Sequence, residues 1–559
     1  MSTTTNDTPG PAAPAELVVI TTGAGAAAPE HSALGAAVAQ HGLDLRPLFA
    51  GLEPDQQVDA EGATAPGPAE VADVANWFFA TGAEADLQVA AESLRQRDDV
   101  EAAYVKPPAE PATVDTTLAP PDLAELFGSS ESSTTPAPEA EAPAAGNYVS
   151  RQNYLGAAPV GIDAAYGWSR PGGRGEGIRV IDCEWGWQLD HHDLAQNNGG
   201  LVGGTNDAST HHGTAVMGVI GGDHNSFGVH GISPNARLSA SSVNGQGTAG
   251  AMVTAAQNLS AGDVLLIEMH RRGPNGTQGG QQGFVAMEWW PDDFAAIRYA
   301  VGRGIVVVEA AGNGWEDLDQ GLYDTPAAGF PASWKNPFNP ANPSSSAVMV
   351  GAGSPPAGTH GRSTSPWGLP YVDRARCGFS NYGSRIDAQG WGWEVTTCGY
   401  GDLYDGGGAT QLYTDVFSGT SSASPIVVGA LTVTQGVLKA ANMPLMTSDR
   451  ARQLLRATGS AQQPAPQRPT SQRIGNRPNL RQLIPAALRQ TLSVKITHTY
   501  AISGAQQAWA HLEGYGWRRI DTGSADGVSN TLLACLNAQL RGTKVGAHVD
   551  NTILYYVFS

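Results

Sequence analysis

A chain of 559 residues with 41% hydrophobic content exceeds what a single core supports, which predicts two to four domains. The formal net charge of −20 is concentrated at one end: residues 1–150 hold about 23 acidic against about 4 basic groups, and the rest nearly balances. Such a chain repels nucleic acid and anionic membranes, and no run of eighteen apolar residues predicts a membrane span. The opening residues lack the basic-then-apolar pattern of a standard signal peptide. Four cysteines make no disulfide framework; Cys377 and Cys398 flank a loop and could pair in an oxidising compartment, while Cys183 and Cys535 stand alone.

In chain order, residues 1–14 read as a flexible tail and 15–107 as a small α+β unit. Strands are predicted over 16–22, 75–81 and 100–107. Helices are predicted over 31–42, with Leu34 and Val38 on one face, and over 85–99, with Leu87, Ala91 and Leu94 at helical spacing. Residues 108–147 turn to Pro, Ala, Ser, Thr and Glu and read as a disordered linker. From 148 to 490, β-branched runs ("IRVIDC", "DVLLIEM", "GIVVVEAAG", "SAVMVGA") alternate with helical patterns, the mark of an α/β fold with a parallel sheet covered on both faces. Residues 491–559 read as a separate small α/β domain, with exposed-looking aromatics among arginines.

Three motifs carry chemistry. "FSGTSSASP" places Ser421 where a buried apolar helix opens, so that helix-terminal N–H groups face an oxyanion. "HHGTAVMG" sets His212 before a glycine and a helix. "RVID" ends a hydrophobic strand at Asp182, and reactive groups gather at the carboxyl ends of parallel strands. A helix cap, a structural histidine and an acidic loop are the plain readings of each motif alone. His191, His192, His211 and His212 also suggest a metal-dependent hydrolase, although adjacent histidines on a strand face opposite sides.

The order Asp182, His212, Ser421, with "AAGNG" at 310–314, "FSNYGS" at 379–384 and "LLRATGSAQ" followed by "IGNRPNLRQLI", resembles the subtilisin-like (subtilase, S8) serine peptidases over residues 148–490. The resemblance implies a three-layer fold and a triad of Asp182, His212 and Ser421. It implies an oxyanion site made by Asn313 and the Ser421 N–H, and an inhibitory ferredoxin-like prodomain over 15–107. The product would be a serine endopeptidase made as a zymogen, acting on protein or peptide. It would need no cofactor, with a structural calcium conceivable but unplaced. A catalytically silent peptide-binding protein is the alternative. Family members are commonly exported, against the missing signal peptide. The forty linker residues leave the processing site open.

Two departures stand out. Cys183 and Glu184 follow Asp182, where the family has a small residue and glycine. Cys183 is expected to be a buried, inert thiol, and Glu184 to turn to solvent at the strand end. The predicted substrate-pocket walls, Glu268, Met269, His270, Glu309, Ala311 and Gly312, carry two carboxylates. These either pair with Arg271, Arg272 or Arg376 or favour a basic or polar residue before the cut.

Overall fold

The computed structural model describes residues 14–22, 33–49, 76–114, 116, 146–277, 280–502 and 505–558. The N-terminal unit contains β1 (Ala15–Thr21), α1 (Ala33–Ala39), β2 (Arg46–Pro47), β3 (Trp77–Gly82), α2 (Glu84–Leu94) and β4 (Val100–Lys106). Its antiparallel sheet has the order β2-β3-β1-β4. Leu87, Ala91 and Leu94 on α2, with Leu34 and Val38 on α1, are buried against Leu17 and Val19 of β1, as their spacing predicts. The tail to residue 13, and the linker at 115 and over 117–145, lie outside the described residues.

The linker does not begin at 108. Residues Ala109–Pro111 form β5, and Ala109, Ala112 and Val114 are buried. This stretch is as acidic and Pro/Ala-rich as the rest of 108–147, yet it is ordered by an edge strand it meets far away in sequence.

The central unit supplies β6 (Arg179–Glu184), β7 (Asn198–Gly203), β8 (Arg237–Ser242), β9 (Val264–Ile267), β10 (Met269–Arg272), β11 (Phe284–Ala286), β12 (Val306–Ala310), β13 (Val348–Gly353) and β14 (Ala388–Trp391). Seven of these form a parallel sheet in the order β14-β13-β12-β9-β6-β8-β7. Ahead of it lies α3 (Ala164–Trp168); between its strands run α4 (His211–Gly221), α5 (Gly247–Gln257) and α6 (Pro291–Gly302); after it come α7 (Thr420–Ala440), α8 (Ser448–Ala457) and α9 (Leu480–Leu488). Alternation along the strands assigns each residue a face. Val180, Leu266, Val306, Val308 and Val350 pack with α4 and α7, whereas Ile181, Cys183, Leu265, Val307 and Met349 pack with α5 and α6. The result is the α/β three-layer arrangement expected from the sequence. Helix α7 is long and apolar enough to cross a membrane, yet every residue of its apolar window is buried in this core.

The C-terminal unit differs from expectation. Strands β15 (Val395–Cys398) and β16 (Tyr413–Phe417) still belong to the central unit, as an antiparallel pair. Beyond them β17 (Gln490–Ala501), β18 (Ala508–Leu512), β19 (Gly516–Ile520), β20 (Lys544–Val549) and β21 (Ile553–Phe558) close into a barrel, with α10 (Ala525–Arg541) against it. It shares a continuous apolar core with the central unit and is tied to it by Asn442 Nδ2 donating to the Gly514 carbonyl (2.8 Å). Trp517, Tyr556 and Phe558 are exposed on it, whereas Arg518 is buried and bonded to the Asp550 carbonyl. All four cysteines are buried free thiols. Cys377 sits in the main core and Cys398 in a small cluster with Val229 and Tyr413, so the two do not pair.

Candidate functional site

Ser421 is the second residue of α7, and Pro425 lies one turn further, where its missing N–H would have met the Ser421 carbonyl. His212 is the second residue of α4, its ring edge-on to Phe417. Both helices pack on the Val180 face of the sheet, so the even-numbered residues at the end of β6 turn toward them.

That parity corrects the reading of the acids. Glu184 shares a face with Asp182 two residues earlier; it is 1% exposed and does not reach solvent. Its Oε2 meets His212 Nδ1 at 2.6 Å. Asp182 Oδ2 instead accepts the Trp187 indole N–H (2.8 Å). The longer glutamate side chain, one strand step nearer the helix, takes the place at the imidazole that the motif assigned to Asp182. Gly213 makes room for this, since a Cβ there would lie 2.5 Å from the Trp187 ring. Cys183, on the opposite face, is buried behind α5 as an inert thiol, its titration pushed far up by burial.

Burial dominates the electrostatics. It raises Glu184 above the usual carboxylate range, with a hydrogen bond from Asp182 acting the other way, and lowers His212 to about 4 against the pull of Asp182. Burial and then the neighbouring Glu184 push Asp182 well above the usual carboxylate range. Glu268 is also raised, first by burial and then by Asp182.

Residues 109–114 and 116 run through this site. β5 pairs antiparallel with β10, opposing Met269 to Pro111, His270 to Glu110 and Arg271 to Ala109. The Ala112 carbonyl then accepts from Asn313 Nδ2 (2.7 Å) and from the Ser421 N–H (3.3 Å). Asn313 is aimed there because its Oδ1 accepts from the Thr420 N–H and hydroxyl, while its own N–H donates to His270 Nδ1 (3.2 Å). Burial keeps His270 neutral, with its titration lowered to about 3. Beyond Ala112, the Gln281 amide donates to the Thr113 carbonyl (2.8 Å) and the Trp367 indole to the Thr116 carbonyl (3.2 Å). Gly419 lies at φ +105°, and a Cβ there would come within 2.1 Å of the Ala112 oxygen. Two donors thus meet on one buried carbonyl at the start of α7, where the Ser421 hydroxyl and His212 Nε2 are both buried with no hydrogen-bond partner of their own.

The predicted pocket residues divide. Met269 and His270 hold the segment through β10, and His270 braces Asn313. Glu268 meets none of the expected arginines; Ser424 Oγ donates to it at 2.5 Å, and its carboxyl lies within reach of the Ser421 hydroxyl. Glu309 faces the α6 side with Val307, near Arg385 (3.6 Å) and the Glu288 N–H (3.4 Å), and so stands across the sheet from Ser421. Ala311 and Gly312 brace the Asn313 loop: Asn381 Nδ2 donates to the Ala311 carbonyl at 2.7 Å and the Asn381 N–H to that of Gly312 at 3.1 Å. Arg271 pairs with Glu16, Arg272 with Glu84, and Arg376 bonds backbone carbonyls. The histidines that suggested a metal go to separate partners: His191 Nε2 to the Leu412 carbonyl, His211 onto Tyr400 and His212 to Glu184.

A second polar cluster, which sequence reasoning missed, sits between the N-terminal unit and the central one. Lys106 is fully buried, bonded to Asp292 and within 3.2 Å of Glu16 and 3.3 Å of Asp293. Arg271 reaches Glu16 at 3.0 Å. Burial would raise Glu16, but Lys106 and Arg271 hold it down to about 2.

The model of the subtilase peptidase family (S8) matches residues 184–516, more than half of the chain. Subtilisin DY of Bacillus licheniformis is 27% identical over 297 residues, covering 52% of this chain and 86% of that protein. Alkaline elastase YaB of Bacillus sp. (strain YaB) is 30% identical over 262 residues, covering 46% and 53%. Among solved structures, fervidolysin from Fervidobacterium pennivorans, described as a keratinolytic enzyme related to subtilisin, aligns with 15% identity and a TM-score of 0.46 over 87% of this chain and 64% of that one. The chain belongs to the subtilase family of serine peptidases.

Proposed function

We propose that this protein is a serine endopeptidase made as a zymogen, and that it cuts its own chain between Ala112 and Thr113. The observation that carries this reading is the Ala112 carbonyl held by Asn313 Nδ2 and the Ser421 N–H. Ser421 Oγ attacks that carbonyl carbon while His212 Nε2 takes its proton, and the two donors hold the tetrahedral oxyanion. His212 then protonates the Thr113 nitrogen as the bond to it breaks, and water hydrolyses the Ala112 ester. The residue before the cut is a fully buried alanine, so a small side chain is the expected preference at that position, rather than a basic one. Residues up to Ala112 stay on β10 as a noncovalently bound product, which makes the N-terminal unit an inhibitor until it leaves.

Incubation of the purified chain is expected to yield a fragment beginning at Thr113, and a fluorophosphonate is expected to attach at Ser421. Both are expected to vanish in His212→Ala. A protein left uncut and without an adduct would instead be a peptide-binding relative. Cleavage confined to another bond would refute the assigned site.

A further inference from the structure

We propose that Glu184 is the carboxylate that orients His212, and that Asp182 serves behind it as a protonated carboxylic acid donating to Glu184. The inference rests on the reading of Ser421 and His212 as nucleophile and base.

Three observations carry it. First, Glu184 Oε2 holds His212 Nδ1 at 2.6 Å, while one oxygen of Asp182 is committed to Trp187. Second, the two remaining oxygens, Asp182 Oδ1 and Glu184 Oε1, are both buried and have no donor. The two carboxyl groups lie within hydrogen-bonding reach of each other. Two buried acceptors facing one another are satisfied by a single shared proton, and two like charges at that separation cannot both persist. Third, no lysine or arginine pairs with either group among the described residues, so that proton is the available compensation. Asp182 is the better place for it: its second oxygen accepts only from a neutral indole, whereas Glu184 faces the imidazolium that forms when His212 takes the Ser421 proton. During that transfer the Nδ1 proton stays between His212 and Glu184, and Asp182 keeps its own.

The proposal reverses the roles that motif position assigns, and paired variants read this directly. An asparagine at 182 reproduces the protonated acid: its oxygen accepts from Trp187 and its amide donates to Glu184. A glutamine at 184 turns an amide N–H toward Nδ1 and locks His212 in the tautomer whose Nε2 cannot accept a proton. Self-cleavage of the full chain at Ala112–Thr113 is therefore expected to slow by about tenfold or less in Asp182→Asn and by ~10⁴ in Glu184→Gln. A second measurement needs no turnover. On a Ser421→Ala background, the far-downfield proton resonance of the His212 Nδ1–H is expected to persist with Asp182→Asn and to disappear with Glu184→Gln. Slowing by Asp182→Asn as severe as that by Glu184→Gln overturns the proposal, as does a resonance lost in the former and kept in the latter. If wild type leaves Ala112–Thr113 uncut, the reading of self-cleavage fails, and the resonances still decide between the two acids.

Discussion

Asn313→Ala is expected to slow self-cleavage at Ala112–Thr113 by ~10²–10³, the cost of one preorganised donor to a developing oxyanion. Ser421→Ala is expected to leave the full chain uncut. The two variants differ in what they remove. Without Ser421 there is no attacking oxygen, whereas without the Asn313 amide the Ala112 carbonyl keeps only the Ser421 N–H. The rate of appearance of the Thr113 N-terminus, followed by mass spectrometry, measures both. A dilution series should show first-order kinetics independent of concentration, because the scissile segment is already seated in its own site. Second-order behaviour, or cutting of Ser421→Ala by added wild type as fast as wild type cuts itself, would contradict cleavage within one molecule. His270→Ala is a milder companion: the Asn313 N–H loses its acceptor but the side-chain donor remains.

Lys106→Met is expected to free the cleaved N-terminal fragment. The substitution keeps the length of the side chain but leaves Glu16, Asp292 and Asp293 with Arg271 as the only cation in contact with the cluster among the described residues. Removing one partner of a buried ionic group costs ~3–5 kcal/mol, because the remaining charges stay desolvated and unpaired. That corresponds to a ~10²–10⁴-fold weaker association. After self-cleavage, the wild-type fragment should co-elute with the remainder on size exclusion and the protein should stay latent. The Lys106→Met fragment should separate, and peptidase activity should rise without further digestion. Co-elution as tight as wild type would show that β5 and the apolar contacts alone hold the fragment.

The same cluster sets a pH dependence. Glu16 is depressed to about 2 in the assembled state, so its contribution is complete above its ordinary value near 4.5 and is lost as pH falls toward 2. Asp293 is shifted the other way. Burial raises it to about 7 against the pull of Lys106, so its contribution is full below its ordinary value of 3.8 and is lost as pH rises toward 7. Retention of the fragment is expected to peak near pH 4–5 and to weaken on both sides, as a co-elution series across pH would measure. Retention that climbs steadily from pH 5 to 8 would contradict the assignment of Asp293.

Much of the architecture was legible because it is written in short-range periodicity. The runs ending at Cys183, Ile267, Ala310 and Gly353 are apolar on both faces, and only a covered parallel sheet buries both. Ser421 and His212 were legible for a similar reason: each opens a buried helix marked by small residues, and helix starts have local signals. The strands and helix of the C-terminal unit were legible but its closure into a barrel was not, because the alternation in "SVKITHTYAI" and "ILYYVF" predicts strands without saying which strand each pairs with.

What the sequence by itself determined was the family, the parallel sheet and the two buried helix starts that carry Ser421 and His212. What only the tertiary structure decided depends on distances between residues far apart in the chain. Glu184 rather than Asp182 meets His212 because strand parity brings both acids to one face and the longer side chain closes the gap, with Trp187 occupying the shorter one. Ala112, in a stretch whose composition reads as linker, is ordered because β10 offers it an edge and Asn313 and Ser421 offer its carbonyl two donors. Lys106 is buried because three acids from two units converge on it. Composition and spacing report what a segment can do alone, and none of these three placements is made by a segment alone.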